Sequence, residues 1–211
     1  MPRVTWDVSG ERLYQAGLDR GVLYTEDSSV PWIGLISVTE SPSGGSLQSY
    51  HVDGRKILDV PAKENFGATI EAFAVPVEFA SCVGRMMLSP ALYVTDQPRE
   101  IFGFSYRTLI GNDIQGDTLG YKVHLVYNAS AKIGDFSLQT MTDSPQPVTR
   151  SVDVSTFPIV VPGYRPSAHF VFNTLINSSD TISDLETIIY GDSSNDPRMP
   201  TPSELAGLLL T

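Results

Sequence analysis

The feature that most constrains this chain is a two-residue alternation of side-chain character, repeated in segments bounded by glycine, asparagine, aspartate and proline. FGFSYRTLI, residues 102–110, sets Phe102, Phe104, Tyr106 and Thr108 against Gly103, Ser105, Arg107 and Leu109. YKVHLVYNA, residues 121–129, sets Tyr121, Val123, Leu125 and Tyr127 against Lys122, His124, Val126 and Asn128. Successive side chains of a strand point to opposite faces, whereas a helix repeats every ~3.6 residues, so this pattern specifies strands. Between the two segments GNDIQGDTLG is dense in turn formers, and together they are expected to form a hairpin with a long tip. Arg107 and His124, one on each arm, are read as outward-facing polar positions.

The same reasoning places further strands at 31–40, 68–79, 135–143, 150–157 and 168–175. QSYHVDGRKIL reads as a separate hairpin, because Asp53-Gly54 favours a tight turn with two positive φ angles. It follows SPSGGS, so residues 41–65 are expected to leave the core as a mobile excursion. Two helices close the chain. In NSSDTISDLETIIYG, Ile182, Leu185, Ile188 and Ile189 share a face, Ser179 or Asp180 can cap the start, and Gly191 can end it. In TPSEL, Thr201 as N-cap, Pro202 at the first helical position and Glu204 three residues after the cap make a capping box ahead of an apolar stretch, 205–210. The expected organisation is a β-domain over 1–191 and a linker with a C-terminal helix over 192–211.

At 211 residues the chain is long enough for one large domain with a real core. Its 24 acidic against 14 basic residues give a net charge of -10, which argues against a duplex-binding protein, since phosphate affinity comes mainly from Lys and Arg. Charged residues are 18% of the chain, below the average of about 25%, as expected of a surface covered by neighbours. One cysteine, Cys82, allows no intrachain disulfide and reads as a small buried apolar residue. Without a signal-like start or a long apolar run, the expectation is a protein made in a reducing cytoplasm, with no membrane partner.

Motifs for chemistry are missing. His51, His124 and His169 lie far apart without paired ligand spacing, so no metal site is expected. NDIQGD lacks the acidic alternation of a calcium loop, GFSYR is not a nucleophile elbow, and no glycine pattern cradles phosphate. No catalytic residue and no cofactor are assigned. The residues alone leave two classes open: an assembly subunit, or a carbohydrate-binding β-sandwich with Trp32, Tyr50 and Tyr93 as a stacking platform.

An ordered set of segments separates them. GERLYQAGLDRGVLY, PWIGL, DGRK, IEAFAVPVEF, FGFSYRTLIGND, GYKVHLVYNA and YG with MPTPSEL together resemble the major tail proteins of long-tailed bacteriophages, particularly those of actinobacteria, over nearly the whole chain. Departures are SCVG at Cys82, where the family has an acidic residue before the glycine, and MPTP, where it has a leucine before the proline. The resemblance implies a mostly β fold, a β-sandwich or half-barrel of the tail-tube type with one or two short helices. It implies a subunit that assembles into stacked, hexameric rings and meets tape-measure, tail-tip and terminator proteins. The genome passes through the lumen without specific binding, and the site of action is the virion tail. A tail terminator or minor tail protein is the alternative within the virion.

Under that reading an acidic lumen repels the DNA backbone, and Glu71, Glu78, Asp113 and Asp117 are the candidate lining residues. Glu11, Arg12, Asp19 and Arg20 either form ion pairs between subunits or are solvent-facing charges beside buried Tyr14, Leu18, Val22 and Leu23. The excursion, with Pro42, Gly44, Asp53 and Gly54, is either an arm reaching the next ring or an ordinary mobile hairpin. The C-terminal helix packs on its own subunit or swaps to a neighbour.

Overall fold

The structure, a computed structural model, describes residues 4–208 apart from 91, 136 and 141–146. The chain is mostly β, as its alternation requires. In order come β1 (Tyr14–Tyr24), β2 (Ser29–Pro31), β3 (Leu35–Glu40), β4 (Ser43–Gly44), β5 (Leu47–Val52), β6 (Arg55–Pro61), β7 (Glu64–Asn65) and β8 (Gly67–Ala72). A single helical turn, α1 (Phe79–Cys82), precedes β9 (Met86–Ser89), β10 (Leu92–Val94), β11 (Phe102–Asn112), β12 (Gly116–Ile133), β13 (Arg150–Thr156) and β14 (His169–Asn173). Then follow α2 (Ser179–Tyr190) and α3 (Pro202–Leu208).

An eight-stranded antiparallel sheet runs β2-β1-β11-β12-β13-β8-β3, with β14 also on β12. β3 returns beside β1, where Leu35 faces Gly21 and the Trp32 amide donates to the Gly21 carbonyl at 2.8 Å. The sheet therefore curls into a half-barrel. β12 is its spine and changes partner along one edge: residues 122–126 pair with β14 and residues 129–133 with β13. The corner falls at Asn128, whose φ of 47° lies in the left-handed region that asparagine tolerates better than most residues.

Both faces of the β11–β12 hairpin are buried, each against a different core. Toward the barrel interior, Phe102, Phe104, Tyr106 and Val126 join Leu23, Trp32, Ile70, Phe79 and Val152. A line of ring contacts threads this interior from Phe102 through Phe79, Trp32, Phe104, Tyr106, His124 and His169 to Phe66. On the opposite face Val22, Tyr24, Val123, Leu125, Tyr127 and Phe172 pack against Leu185 and Ile189 of α2, with Leu205 and Leu208 of α3 at the margin. Each fully buried side chain of this size contributes about 1.5–3 kcal/mol relative to exposure. The C-terminal segment is held on its own chain, since the Tyr127 hydroxyl donates to the Pro200 carbonyl at 2.7 Å and the Arg198 amide to the Ile188 carbonyl at 2.9 Å.

Several elements differ from expectation. The β11–β12 tip is short, residues 113–115, because the Asn112 side-chain oxygen accepts from the amides of Ile114 and Gln115 and lets the ladder run on to Asn112–Gly116. The strand expected over 68–79 ends at Ala72, ahead of Pro76, which cannot donate to a ladder, and Phe79 is drawn into the core by α1. The strand expected at 31–40 is broken: Pro31 ends β2 and Leu35–Glu40 forms β3, because Trp32 between them turns inward and its indole N–H donates to the Ala74 carbonyl at 3.0 Å. Residues 135 and 137–140 of the expected strand 135–143 have no regular structure, and 136 and 141–143 lie outside the described residues. Tyr14 is exposed rather than buried, since that end of β1 extends beyond the core.

The cap of α2 is Ser178, one residue earlier than expected, and its hydroxyl accepts from the Thr181 amide at 3.2 Å. Gly191 ends the helix with φ 75°, a conformation costly for any residue with a Cβ. The capping box of α3 forms in both directions: the Thr201 amide donates to Glu204 Oε2 at 2.7 Å and the Glu204 amide to Thr201 Oγ1 at 3.3 Å. Residues 209–210 of the expected helix lie outside the described residues.

Candidate assembly interface

Between Glu40 and Gly67 the chain leaves the half-barrel as an arm. Its root is the short β4–β7 ladder, with Ser43 opposite Asn65 and Gly44 opposite Glu64, and its blade is the β5–β6 hairpin. The tip is Asp53-Gly54, with φ of 51° and 74°, the paired positive angles of the turn that the sequence predicts. Asp59 is braced by Lys56 at 2.7 Å and Ser49 at 2.6 Å, and these partners hold its carboxyl below the usual range. Leu47, Tyr50, Val52, Ile57, Leu58 and Val60 are all exposed, Ile57 by 66%. A hairpin with apolar side chains exposed along both strands has no core of its own; contiguous apolar surface of this kind marks an interaction site.

A second hairpin, β9–β10, exposes Met86, Met87, Leu88, Leu92 and Tyr93 in the same way. The large sheet also has open edges. Among the described residues no strand pairs with the outer edge of β14, and the first part of β1 has β11 on one side only, because β2 reaches just Val22–Tyr24. Unpaired edges are templates for another chain.

The outer face of β3-β8-β13 has the opposite character. Ser37, Glu71 and Ser151 form one cross-strand row, and Thr39, Thr69 and Asp153 the next, extended by Lys132 on β12. Ser37 Oγ donates to Glu71 Oε2 at 3.1 Å and Thr69 Oγ1 to Asp153 Oδ1 at 3.0 Å. The inward neighbours Val38, Ile70, Val152 and Val154 carry the core, so alternation leaves a hydroxyl and carboxylate surface facing water.

The predicted lumen residues separate on this frame. Glu71 sits at the middle of the polar face. Glu78 belongs to no strand; it is the exposed N-cap residue of α1. Asp113 is tied to the N-terminal segment, accepting from the Gly10 amide at 2.9 Å and from Ser9 Oγ at 3.4 Å. Asp117 is exposed near the β11–β12 tip.

Three of the four charges singled out in the opening segment, Arg12, Asp19 and Arg20, are engaged within the chain. Arg12 lies 3.5 Å from Asp7 and 3.9 Å from Asp113, while Glu11 is exposed. Asp19 accepts a two-pronged contact from Arg107 at 2.6 and 2.7 Å, and Arg20 reaches Glu186 at 3.6 Å and covers the Tyr190 ring. Arg107 is thus not an outward-facing polar position: it is 12% exposed, stacks over Tyr121 at 4.4 Å and approaches Glu186 at 4.0 Å. Asp19 strengthens its hold on the proton, and burial pushes the Tyr190 hydroxyl up to about 12. Pro42 and Gly44 sit at the arm's root, where a Cβ on Gly44 would run into the Lys63 carbonyl oxygen.

His124 is also buried rather than outward, and the fold joins histidines that the sequence separates. Pairing of β12 with β14 brings His124 Nδ1 to 3.1 Å from His169 Nε2 and 3.4 Å from Glu40 Oε1. Thr108 Oγ1 lies 3.1 Å from His124 Nε2, and the Tyr106 hydroxyl donates to Glu40 Oε1 at 2.7 Å. Burial and the neighbouring His169 hold His124 down at about 4, and burial also lowers His169, so both rings are neutral near pH 7. Only β12–β14 register could have revealed this cluster, and no local motif encodes it. Cys82 is fully buried and its thiol is pushed up to about 11, mainly by desolvation.

No family model and no curated protein matches the chain. It is similar to solved components of phage-tail-like particles. One is the tube-terminating cap of the anti-feeding prophage, at 11% identity over 82% of this chain and 96% of that one, with a TM-score of 0.37. Another is in the extended sheath-tube complex of an extracellular contractile injection system, PVC, at 12% identity over 81% and 95% with a TM-score of 0.36. A third, from the sheath/tube terminator of that system, matches at 12% identity over 75% and 98% with a TM-score of 0.30. The functional reading rests on the chain's own sequence and surface.

Proposed function

We propose that this chain is a structural tail protein, the tube subunit that associates with copies of itself into stacked rings around a DNA-conducting lumen. The observation that carries the reading is the division of its surface: an arm and a second hairpin that expose apolar side chains, open edges on β1 and β14, and one water-facing acidic sheet face. A ring of copies closes open edges, and a stack of rings covers projecting arms. The segment-by-segment likeness to major tail proteins of long-tailed phages supports the same subunit role, hexameric rings, tape-measure, tip and terminator partners, and residence in the virion tail. The net charge of -10 suits a wall past which DNA slides without adhering.

On this reading the protein works by assembly; its lone thiol is buried, and desolvation pushes its pKa up to about 11, which does not favour a nucleophilic thiolate. The carbohydrate-binding alternative loses its platform, because Trp32 is 3% exposed and Tyr50 and Tyr93 stand on different hairpins. The test is negative-stain electron microscopy with light scattering on the purified chain at high concentration. Hollow filaments of stacked rings support the tube subunit, single rings that never stack point to a terminator, and a strict monomer at every concentration counts against self-assembly.

A further inference from the structure

We propose that Glu40, His124 and His169 form a binding site for a divalent cation of the zinc class, and that the ion fastens the root of the arm to the half-barrel. The three donors come from three strands, β3, β12 and β14, and their ligating atoms all lie within 4.8 Å of one another. A tetrahedral zinc ion with bonds of about 2.0–2.1 Å holds its ligand atoms about 3.4 Å apart. His124 Nδ1 stands 3.1 Å from His169 Nε2 and 3.4 Å from Glu40 Oε1, so two of the three donor pairs are near ligand spacing, and the third lies within 4.8 Å.

The supporting contacts are those that metal ligands use. Thr108 Oγ1 lies 3.1 Å from His124 Nε2, the nitrogen that does not face the other donors, so its hydroxyl can accept from an Nε2–H when Nδ1 coordinates. The Tyr106 hydroxyl donates to Glu40 and orients the carboxylate, and Phe66 packs at a tilt against His169 with ring centroids 4.2 Å apart. Imidazole pairs with one carboxylate suit zinc over calcium or magnesium, which take all-oxygen sites. Entry is open on the Glu40 side, where the carboxylate is 41% exposed while His124 is 8% exposed. Binding requires only that the hydrogen shared between His124 Nδ1 and His169 Nε2 leave that contact for the remaining ring nitrogen; no redox step and no co-reactant enters.

Placement gives the site its role. Glu40 is the last residue of β3, where the arm departs, and Phe66 is the residue before β8, where the arm returns. The Ser41 amide donates to the Gly67 carbonyl at 2.7 Å across the same root. An ion held by Glu40 and the two histidines ties this root to the spine of the sheet.

The test is calorimetric titration of the full, chelator-treated chain with Zn²⁺, with Co²⁺ as an optical probe. Glu40→Gln and His169→Gln remove ligands, and His51→Ala in the arm serves as control. The expected result is one saturable Zn²⁺ per chain and a tetrahedral Co²⁺ spectrum displaced by Zn²⁺. Either ligand variant should weaken binding beyond the roughly 10- to 100-fold that loss of an outer partner costs. Hydrogen exchange at the Ser41 amide should slow on Zn²⁺ addition in the wild-type chain and in His51→Ala, and in neither ligand variant. No saturable binding by the wild-type chain overturns the proposal, and so does binding that survives both ligand variants or is lost in His51→Ala.

Discussion

Replacing Arg107 with Met tests the network that joins the β1 strand, the hairpin spine and the α2 helix. The guanidinium makes two charge-assisted hydrogen bonds to Asp19, at 2.6 and 2.7 Å, and stacks on Tyr121 at 4.4 Å. Breaking a fully buried pair from one side costs about 3–5 kcal/mol, and an exposed pair is worth about 0.2–1 kcal/mol. Arg107 is 12% exposed but Asp19 is 38% exposed, so solvent screening places this pair between those limits. Methionine keeps much of the stem's packing, while Asp19 loses its partner and the contact with Tyr121 forfeits about 0.5–1 kcal/mol. The expected destabilisation of Arg107→Met is about 2–3 kcal/mol, the range of charged hydrogen bonds with a modest stacking contribution. Urea unfolding followed by the fluorescence of buried Trp32, below any assembly concentration, measures it. The double variant with Asp19→Asn should lose about 1 kcal/mol less than the two single losses added together. A loss under about 0.5 kcal/mol, typical of an ordinary surface change, or strict additivity of the two variants, refutes this account of the network.

Three further outcomes follow from the same geometry. Arg198 and the Thr201 amide hold the Glu204 carboxyl down at about 2, against an unfolded value of about 4.3. Its folded value is depressed, so the stabilisation of α3 is full above about pH 4.3 and declines as pH falls toward about 2. Protection of the Leu205 amide, its exchange relative to an unstructured chain at the same pH, should fall across that window in the wild-type chain, and an identical profile in Glu204→Gln would contradict it. Ile57→Glu, on the exposed arm, should leave monomer melting within about 0.5 kcal/mol of wild type and abolish filaments in the microscope; normal filaments would remove the arm from the interface. Glu71→Lys should leave subunits folded and tubes assembled but make them retain DNA against a salt wash; unchanged DNA retention would take Glu71 out of the lumen.

The strands most legible in the sequence are those whose two faces meet different surroundings. Residues 102–110 and 121–129 alternate because one face fills the half-barrel and the other meets α2, and the capping box at Thr201 is local enough to read directly. Failures arise where a distant contact overrides the local pattern. Phe79 extends an apparent strand pattern, yet Trp32, at 4.9 Å, and Phe102 hold it in a helical turn. Arg107 and His124 look outward by alternation, but the α2 side supplies Glu186 to one and β14 supplies His169 to the other. Of the candidate lumen residues, Glu71 follows strand periodicity onto the polar face, whereas Glu78 lies beyond Pro76, where that periodicity no longer applies. The arm was legible through Asp53-Gly54, whose turn chemistry is independent of the rest of the chain.

The most direct test of the central claim is a helical reconstruction by cryo-electron microscopy of tubes formed by this chain. The account predicts rings whose inner wall carries the Ser37–Glu71–Ser151 and Thr39–Thr69–Asp153 rows, with Ile57 and Leu58 of the arm buried against another copy. A tube wall that buries Glu71 between subunits, or leaves the arm in solvent, would contradict it.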